Sequence, residues 1–286
     1  MRNERIATRC VCCGSETLDS SPAVLMPFVA HRVFGWTPVT IDESWGLDTI
    51  PSGRAFSICK SMYCRVCGHL FLDIRFDDVE MQRLYSGYRQ ADYVRMRELY
   101  EPGYRERNDV LKDGVPYVPS IEHFLRPFLP AAPRVLDWGG DTGRNTPFRN
   151  RCAAHLIYDI GQAVPVPGAR LISRHEAANT THDLICCSMV LEHVPYPVDL
   201  LTDIRQVMSA HTVLYIEVPL EKLIREEYDN PHHYKRHWHE HVNFFCRRSL
   251  DAVIDRAGLD IIARDVIVAT FEGGEIHVLQ VACNLR

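Results

Sequence analysis

The 286-residue chain has no run approaching the ~20 consecutive apolar residues that a membrane-spanning helix requires, so no membrane span is expected. It also has no basic run or arginine-rich stripe. With a formal net charge of −5, a nucleic-acid-binding surface is not its main business. The opening residues, M-R-N-E-R-I-A-T-R-C, lack the apolar stretch of a secretory signal, and the expected location is cytoplasmic. Neither extreme of composition is present: 46% hydrophobic and 24% charged residues are those of an ordinary globular protein, long enough for one large domain plus a small one. Cysteine, by contrast, is plentiful. Eleven cysteines in a reducing compartment read as thiols, and clustered pairs among them suggest metal rather than disulfides.

One stretch organises the chain: Arg134 to Phe148, R-V-L-D-W-G-G-D-T-G-R-N-T-P-F. Val135, Leu136 and Asp137 read as the end of a buried parallel strand. Gly139, Gly140 and Gly143 form a turn where backbone can approach a ligand, and a helix is expected next, completing the first βα unit of a nucleotide-binding sheet. The next strand ends in Asp159, 22 residues beyond Asp137, where a carboxylate can accept hydrogen bonds from ribose hydroxyls.

V-L-D-W-G-G-D-T-G resembles the first motif of class I S-adenosylmethionine-dependent methyltransferases, usually V-L-D-x-G-x-G-x-G. Asp137, Gly139 and Gly143 match, and Asp141 replaces the middle glycine, stiffening the turn and adding a charge. The resemblance implies a Rossmann-like α/β sheet of seven strands and S-adenosylmethionine as cofactor. Its contacts would be Asp137, Gly139, Gly140, Asp141, Gly143 and Asp159, with Ser188 at the end of the fourth strand. The later strands read in order: 169–172, 183–188, 212–218, 261–269 and 276–283, near-continuous apolar runs as in strands buried on both faces. Helices are expected over 199–209 and 249–257, the second closing at Gly258.

Near the N-terminus, Cys10-Val11-Cys12-Cys13-Gly14 and Cys64-Arg65-Val66-Cys67-Gly68 are two C-x-x-C-G knuckles. Cys10, Cys13, Cys64 and Cys67 suit a tetrahedral four-cysteine zinc site of ribbon type, structural because four thiolates leave no open position. An inserted segment, about 26–55, separates them, and Cys12 and Cys59 are substitute ligands nearby. The organisation is therefore a zinc-binding module at 1–75, a helical connector or lid at 76–133, and a catalytic domain at 134–286. A four-cysteine zinc module ahead of this domain resembles the deoxysugar C-methyltransferases, with C-R-V-C-G-H-L-F-L-D as the second knuckle.

Tyr85, Tyr88, Tyr93 and Tyr100 recur along 76–100. Such a stripe can cap a core; in the resembling family a tyrosine-rich segment here covers the substrate pocket, which makes Tyr88 and Tyr93 candidates. Leu191-Glu192-His193-Val194 follows the fourth strand. Either it starts a helix with both polar residues solvated, or, by resemblance, His193 faces the methyl group or substrate. Residues 231–241, P-H-H-Y-K-R-H-W-H-E-H, carry five histidines. His239 and His241 with Glu240 between them could hold a metal, or one histidine could be a general base. W-H-E-H-V-N-F-F resembles the Y-H-E-H segment of the sugar C-methyltransferases, which implies His241 as base, oriented by Glu240. Trp238 stands where the family has tyrosine, with Tyr234 a possible replacement. The resemblance implies methylation of a carbon in a nucleotide-linked keto-sugar or polysaccharide precursor. The alternatives are O-methylation of a sugar or other small molecule, or a non-catalytic adaptor with a decayed cofactor pocket.

Overall fold

The computed structural model describes residues 4–46, 51–110, 114–161, 163–226, 228–271 and 274–286. Residues 47–50, within the segment between the two knuckles, and 111–113 of the connector lie outside the described residues.

Leu18–Leu25 (β1) opens the chain's smaller sheet and is followed by Pro27–Phe34 (α1), which ends on a left-handed Gly35. A short hairpin, Val39–Ile41 (β2) with Gly53–Ala55 (β3), leads to Ile58–Cys64 (β4). β4 runs antiparallel to β1 from Leu18↔Cys64 to Val24↔Ile58, and the second knuckle turns it into Leu70–Leu72 (β5). Three helices then cross this sheet's aromatic side: Asp78–Tyr85 (α2), Ala91–Tyr100 (α3) and Tyr104–Val110 (α4). The acidic start of α2 is a capping box, Asp77 bonding the Glu80 amide while Glu80 bonds the Asp77 amide. Val118–Leu125 (α5) follows, extended by one 3-10 turn.

The large sheet contains Arg134–Trp138 (β6), Ala154–Tyr158 (β7), Ala169–Leu171 (β8), Leu184–Ser188 (β9) and Val213–Pro219 (β10), with Arg174–Ala178 (α6) and Pro197–Arg205 (α7) between them. Beyond β10 come Lys222–Arg225 (α8), Pro231–Tyr234 (α9), His237–Trp238 (β11), Asn243–Phe244 (β12), Arg247–Arg256 (α10), Leu259–Phe271 (β13) and Gly274–Leu285 (β14). The order is β13-β14-β10-β9-β6-β7-β8, parallel from β10 to β8 and antiparallel at β13 and β14. This is the Rossmann-like methyltransferase sheet. The chain leaves β6 toward β7 and β8, then returns to β9 on the other side of β6. That reversal opens a crevice at the strands' carboxyl ends, where ligands bind in such sheets. β9 and β10 are buried along nearly their whole length, as their apolar runs require, with Cys186 and Cys187 packing into opposite cores.

Two expectations need correction. No helix follows the glycine turn: residues 139–153 pass from β6 to β7 through turns alone. Thr146 is drawn under the strand by a hydrogen bond to Asp137, Pro147 has no amide to give, and Phe148 is buried with φ +62°. α5 takes up the space instead, packing Ile121 and Leu125 with Val135 and Phe148. Residues 189–194 also start no helix but turn tightly, Met189 having φ +54°.

The smaller sheet has the order β11-β1-β4-β5-β12, so two of its five strands come from residues 237–244. Trp238 is its central plug. It is fully buried, donates through Nε1 to Ser61 Oγ at 2.8 Å, and packs on Phe244. Trp238→Ala would empty this space and leave Ser61 short of a partner. We expect a loss of about 3–5 kcal/mol in unfolding free energy by denaturant titration, the usual cost of deleting a buried aromatic.

Candidate active site

The site is built from loops at the carboxyl edge of the large sheet and from the connector above them. Gly139 has φ +79°, and a Cβ there would come within 2.6 Å of Val190 Cγ2, on the turn after β9. At Gly140 a Cβ would run into the carboxyl group of Asp137. These glycines therefore let two strand-end loops lie against each other as well as leaving room for a ligand. Asp141 takes φ +51°, which L residues rarely adopt, and its amide donates to Asp159 Oδ2 at 2.9 Å. The Gly161 amide donates to Asp159 Oδ1 at 2.5 Å. Asp159 thus faces the elbow, half-buried.

Asp137 lies beneath the elbow rather than at its surface. It is 5% exposed, accepts from Thr146 Oγ1, and Thr146 is in turn 2.9 Å from His155 Nε2. Burial pushes its carboxyl up to about 7. Burial also raises Asp141, an effect opposed by the Arg89 guanidinium from the loop before α3. Ser188, half-buried, ends β9, where its partner in β10 is Glu217.

Glu192, His193 and His241 meet at the other end of the crevice. The His193 and His241 rings are 4.6 Å apart and nearly perpendicular, and His193 Nε2 is 3.8 Å from Glu192 Oε1. His193 Nδ1 lies 2.8 Å from Tyr85 Oη and 3.2 Å from the Glu240 carbonyl oxygen. Burial and the neighbouring His241 push His193 down to about 3, so its imidazole is neutral. Burial pushes the Glu192 carboxyl up to about 7. For His241, burial is outweighed by the Glu221 hydrogen bond and the Glu192 and Glu240 charges, and its pKa lies above the usual histidine value.

Glu240 does not orient His241. Its carboxylate is 2.6 Å from Arg97 of α3, a guanidinium that also holds Glu101 at 2.9 Å. Although burial opposes it, that cation and the nearby His241 and His193 hold the Glu240 carboxyl at about 2. The carboxylate on His241 is Glu221, 3.3 Å from Nδ1. The histidine run also divides. His239 contacts the His237 ring rather than His241, and His232 is buried against Tyr63. Tyr234 is 59% exposed and pairs with Tyr228, so it replaces no buried tyrosine, while Trp238 is in the core.

Tyr93 is buried with its ring on Tyr88, 5.3 Å away, and its Oη has no hydrogen-bond partner among the described residues. Tyr88 is half-buried and packs edge-on to Tyr85 at 5.6 Å. Sequence reasoning missed four residues of this region: Tyr85, Arg97, Glu221 and Asn243. Glu221 carried a signal, standing two residues past the carboxyl end of a parallel strand. Asn243 did not, yet its side-chain amide donates to Leu191 O at 2.9 Å and Val194 O at 2.6 Å.

The four knuckle cysteines come together, with Cys10 and Cys67 sulfurs 3.5 Å apart and Cys13 and Cys64 sulfurs also 3.5 Å apart. Cys12 is buried beside them and Cys59 packs in the other core, so neither replaces a ligand in the four-sulfur group.

A family profile described as a methyltransferase domain matches residues 110–264, more than half of the chain, and the chain belongs to that family. It is a class I S-adenosylmethionine-dependent methyltransferase with a cysteine cluster that fits a small metal-binding module. Among solved structures it is similar to the 1,6-didemethyltoxoflavin-N1-methyltransferase of Burkholderia thailandensis, bound to 1,6-didemethyltoxoflavin and S-adenosylhomocysteine. The two are 18% identical over 67% of this chain and 88% of that one, with a TM-score of 0.47. It is also similar to a SAM-dependent methyltransferase of Methanosarcina mazei (12% identity, 56% and 96% covered, TM-score 0.40). A third is a SAM-dependent methyltransferase of Leishmania major (12%, 64% and 76%, 0.44). No curated protein matches the chain.

The Asp137 environment yields a pH prediction. Its folded-state pKa of about 7 lies above the ordinary 3.8, so the fold binds this proton more tightly than the unfolded chain does. That stabilisation is complete below about pH 4 and is lost as pH rises toward about 7. Asp137→Asn keeps an oxygen for Thr146 and cannot ionise. Compared at pH 5 and pH 8 by denaturant unfolding, the variant should lose less stability than wild type, by about 2–4 kcal/mol.

Proposed function

We propose that this enzyme methylates a carbon of a nucleotide-linked keto-sugar or related polysaccharide precursor, with His241 as general base. The observation that carries the reading is the meeting of His241 with His193 at the crevice rim, Glu221 behind one ring and Tyr85 behind the other. The W-H-E-H-V-N-F-F and L-E-H-V segments, far apart in the chain, converge here, which supports the sugar C-methyltransferase reading.

The residues present suit the cofactor. The Gly139–Gly143 elbow, with no side chains at Gly139, Gly140 and Gly143, would line one side, and Asp159, held by two backbone amides, has lone pairs left for ribose hydroxyls. Ser188 closes the β9 side. S-adenosylmethionine, when bound, supplies a methyl group already activated by the sulfonium charge. The chain's own tasks are alignment, exclusion of water and one proton transfer. His241 Nε2 would take the proton from a carbon beside a carbonyl, and Glu221 at Nδ1 would stabilise the resulting imidazolium. His193 Nε2 would accept from a sugar hydroxyl. Tyr88 and Tyr93 would cover the acceptor, the Tyr93 hydroxyl being free to donate. Glu240 acts on the lid rather than on the base, holding α3 through Arg97.

In this reading residues 76–133 are the lid and 1–75 the zinc module. A zinc ion fits the four sulfurs: at a Zn–S distance of about 2.3 Å, tetrahedral sulfurs are about 3.8 Å apart, close to the 3.5 Å pairs here. Its role is structural, since the knuckles pack against α10 and Arg256 donates to Cys12 O at 2.7 Å.

Three variants test these assignments. With a panel of nucleotide-linked keto-sugars and labelled cofactor, His241→Asn should lower turnover about 10²–10⁴-fold while calorimetric cofactor binding is retained. Asp159→Ala should instead weaken cofactor binding about 10–100-fold. Label appearing on an acceptor oxygen would move the reading to O-methylation, and no heat with S-adenosylmethionine would overturn it. For the module, Cys64→Ser should remove one thiolate-bound zinc per chain by metal analysis and lower the melting temperature by about 10 °C or more.

A further inference from the structure

Glu192, His193 and His241 each bring a ligand atom to within 4.8 Å of the other two. The hydrogen bonds behind them decide which atoms these are. The Glu240 carbonyl oxygen near His193 Nδ1 can only accept and the Tyr85 hydroxyl can accept as well, so a proton on Nδ1 serves both and leaves the Nε2 lone pair free. His241 Nδ1 faces the Glu221 carboxylate, with the same consequence for its Nε2. Glu192 is 1% exposed, and its Oε2 has no hydrogen-bond partner among the described residues. The group thus gathers two imidazole nitrogens and a carboxylate whose Oε2 no donor satisfies, which is costly in a buried site.

We propose that Glu192, His193 and His241 form a binding site for a divalent transition-metal ion. Two imidazoles and one carboxylate suit Zn²⁺, Fe²⁺, Mn²⁺ or Co²⁺ and leave positions open. The arrangement behind the ligands is the one metal-bound histidines usually have: a carboxylate on His241, and a carbonyl and a phenol on His193. The surrounding charge favours a cation. Glu192, Glu221 and Glu240 all face His241, set against Arg97, which is shared between Glu240 and Glu101, and Lys235, which faces Glu221 and Glu240. Ligands about 2.0–2.2 Å from an ion are about 3.5 Å apart, so the group must contract by roughly an ångström. His241, 31% exposed in its side chain, has room to do so. The site replaces the His239–His241 pairing that the sequence suggests.

The inference concerns the same residues as the proposed base but does not depend on the acceptor. The ion takes the Nε2 lone pair that the base needs, so metal occupancy and proton abstraction exclude each other. The test is a Co²⁺ titration of the full chain with its thiolate-bound metal left in place. One further equivalent should bind, giving weak visible ligand-field bands and no thiolate-to-cobalt charge transfer. Glu192→Gln and His241→Asn should each weaken it more than 10-fold, and Tyr85→Phe about 10-fold. His241→Asn, at a partly exposed ring, keeps the test open should Glu192→Gln fail to fold. No further equivalent up to about 1 mM Co²⁺, or binding unchanged in His241→Asn, would overturn the site and leave the base intact. Metal that raises methyl transfer would overturn the exclusion, and with it His241 as base.

Discussion

One carbonyl group, that of Glu192, receives two backbone amides, Val242 at 2.7 Å and Asn243 at 3.0 Å. Around it, Asn243 caps the carbonyls of Leu191 and Val194, and Arg75 reaches Pro195 O at 2.8 Å. The turn after β9 thus has its backbone satisfied by the segment after β10 and by the N-terminal sheet. A buried turn without such partners would leave several polar groups dry, each costing about 1–3 kcal/mol. This clamp sets Glu192, His193 and His241 side by side. It also explains why a sheet begun by residues 18–25 must be finished by 237–244: β11 and β12 are the two ends of the strap that holds the turn.

The same region concentrates buried charge. Arg97 is 5% exposed between two carboxylates, and Glu192 and Glu217 are almost fully buried. Glu217 is satisfied by Tyr117 and Tyr215 hydroxyls at 2.9 and 2.6 Å, which makes it a structural polar group. Glu192 has no comparable donors on Oε2. The contrast separates a carboxylate satisfied within the core from one left with an unbonded oxygen, a distinction that burial alone does not draw.

The large sheet was legible because its strands are buried on both faces and their apolar runs are hard to mistake. The two knuckles were legible because C-x-x-C-G imposes its own local geometry. The elbow was legible as a turn but not as a connection, since nothing local says that Thr146 will bond Asp137 and forestall a helix. The acceptor end was only half legible. His193 and His241 stood in recognisable segments, yet Glu240, adjacent to His241 in sequence, points to Arg97, 143 residues away. The chain bends at Glu240, between β11 and β12, which carries its carboxylate to Arg97 and leaves Glu221 to His241. Trp238 turns into the core from β11, and the histidine run is scattered because His232 and His233 lie on α9, His237 on β11 and His241 beyond the bend.

The two ends of the crevice are therefore built on different principles. The cofactor end comes from one local stretch, 137–161, whose hydrogen bonds close among near neighbours: Asp137 with Thr146, Asp141 with Asp159, Asp159 with Gly161. Such a unit keeps its geometry wherever the sheet is formed, which is why a motif betrays it. The end proposed for the acceptor is assembled from 85–101, 192–193 and 221–241, joined by Tyr85–His193, Arg97–Glu240 and Glu221–His241. Each of these bonds crosses between elements, and two of them belong to the connector helices. Any displacement of α2 or α3 relative to the large sheet would break contacts to His193 or Glu240, so in the proposed reading access for the acceptor and the positions of the two histidines are one coupled variable.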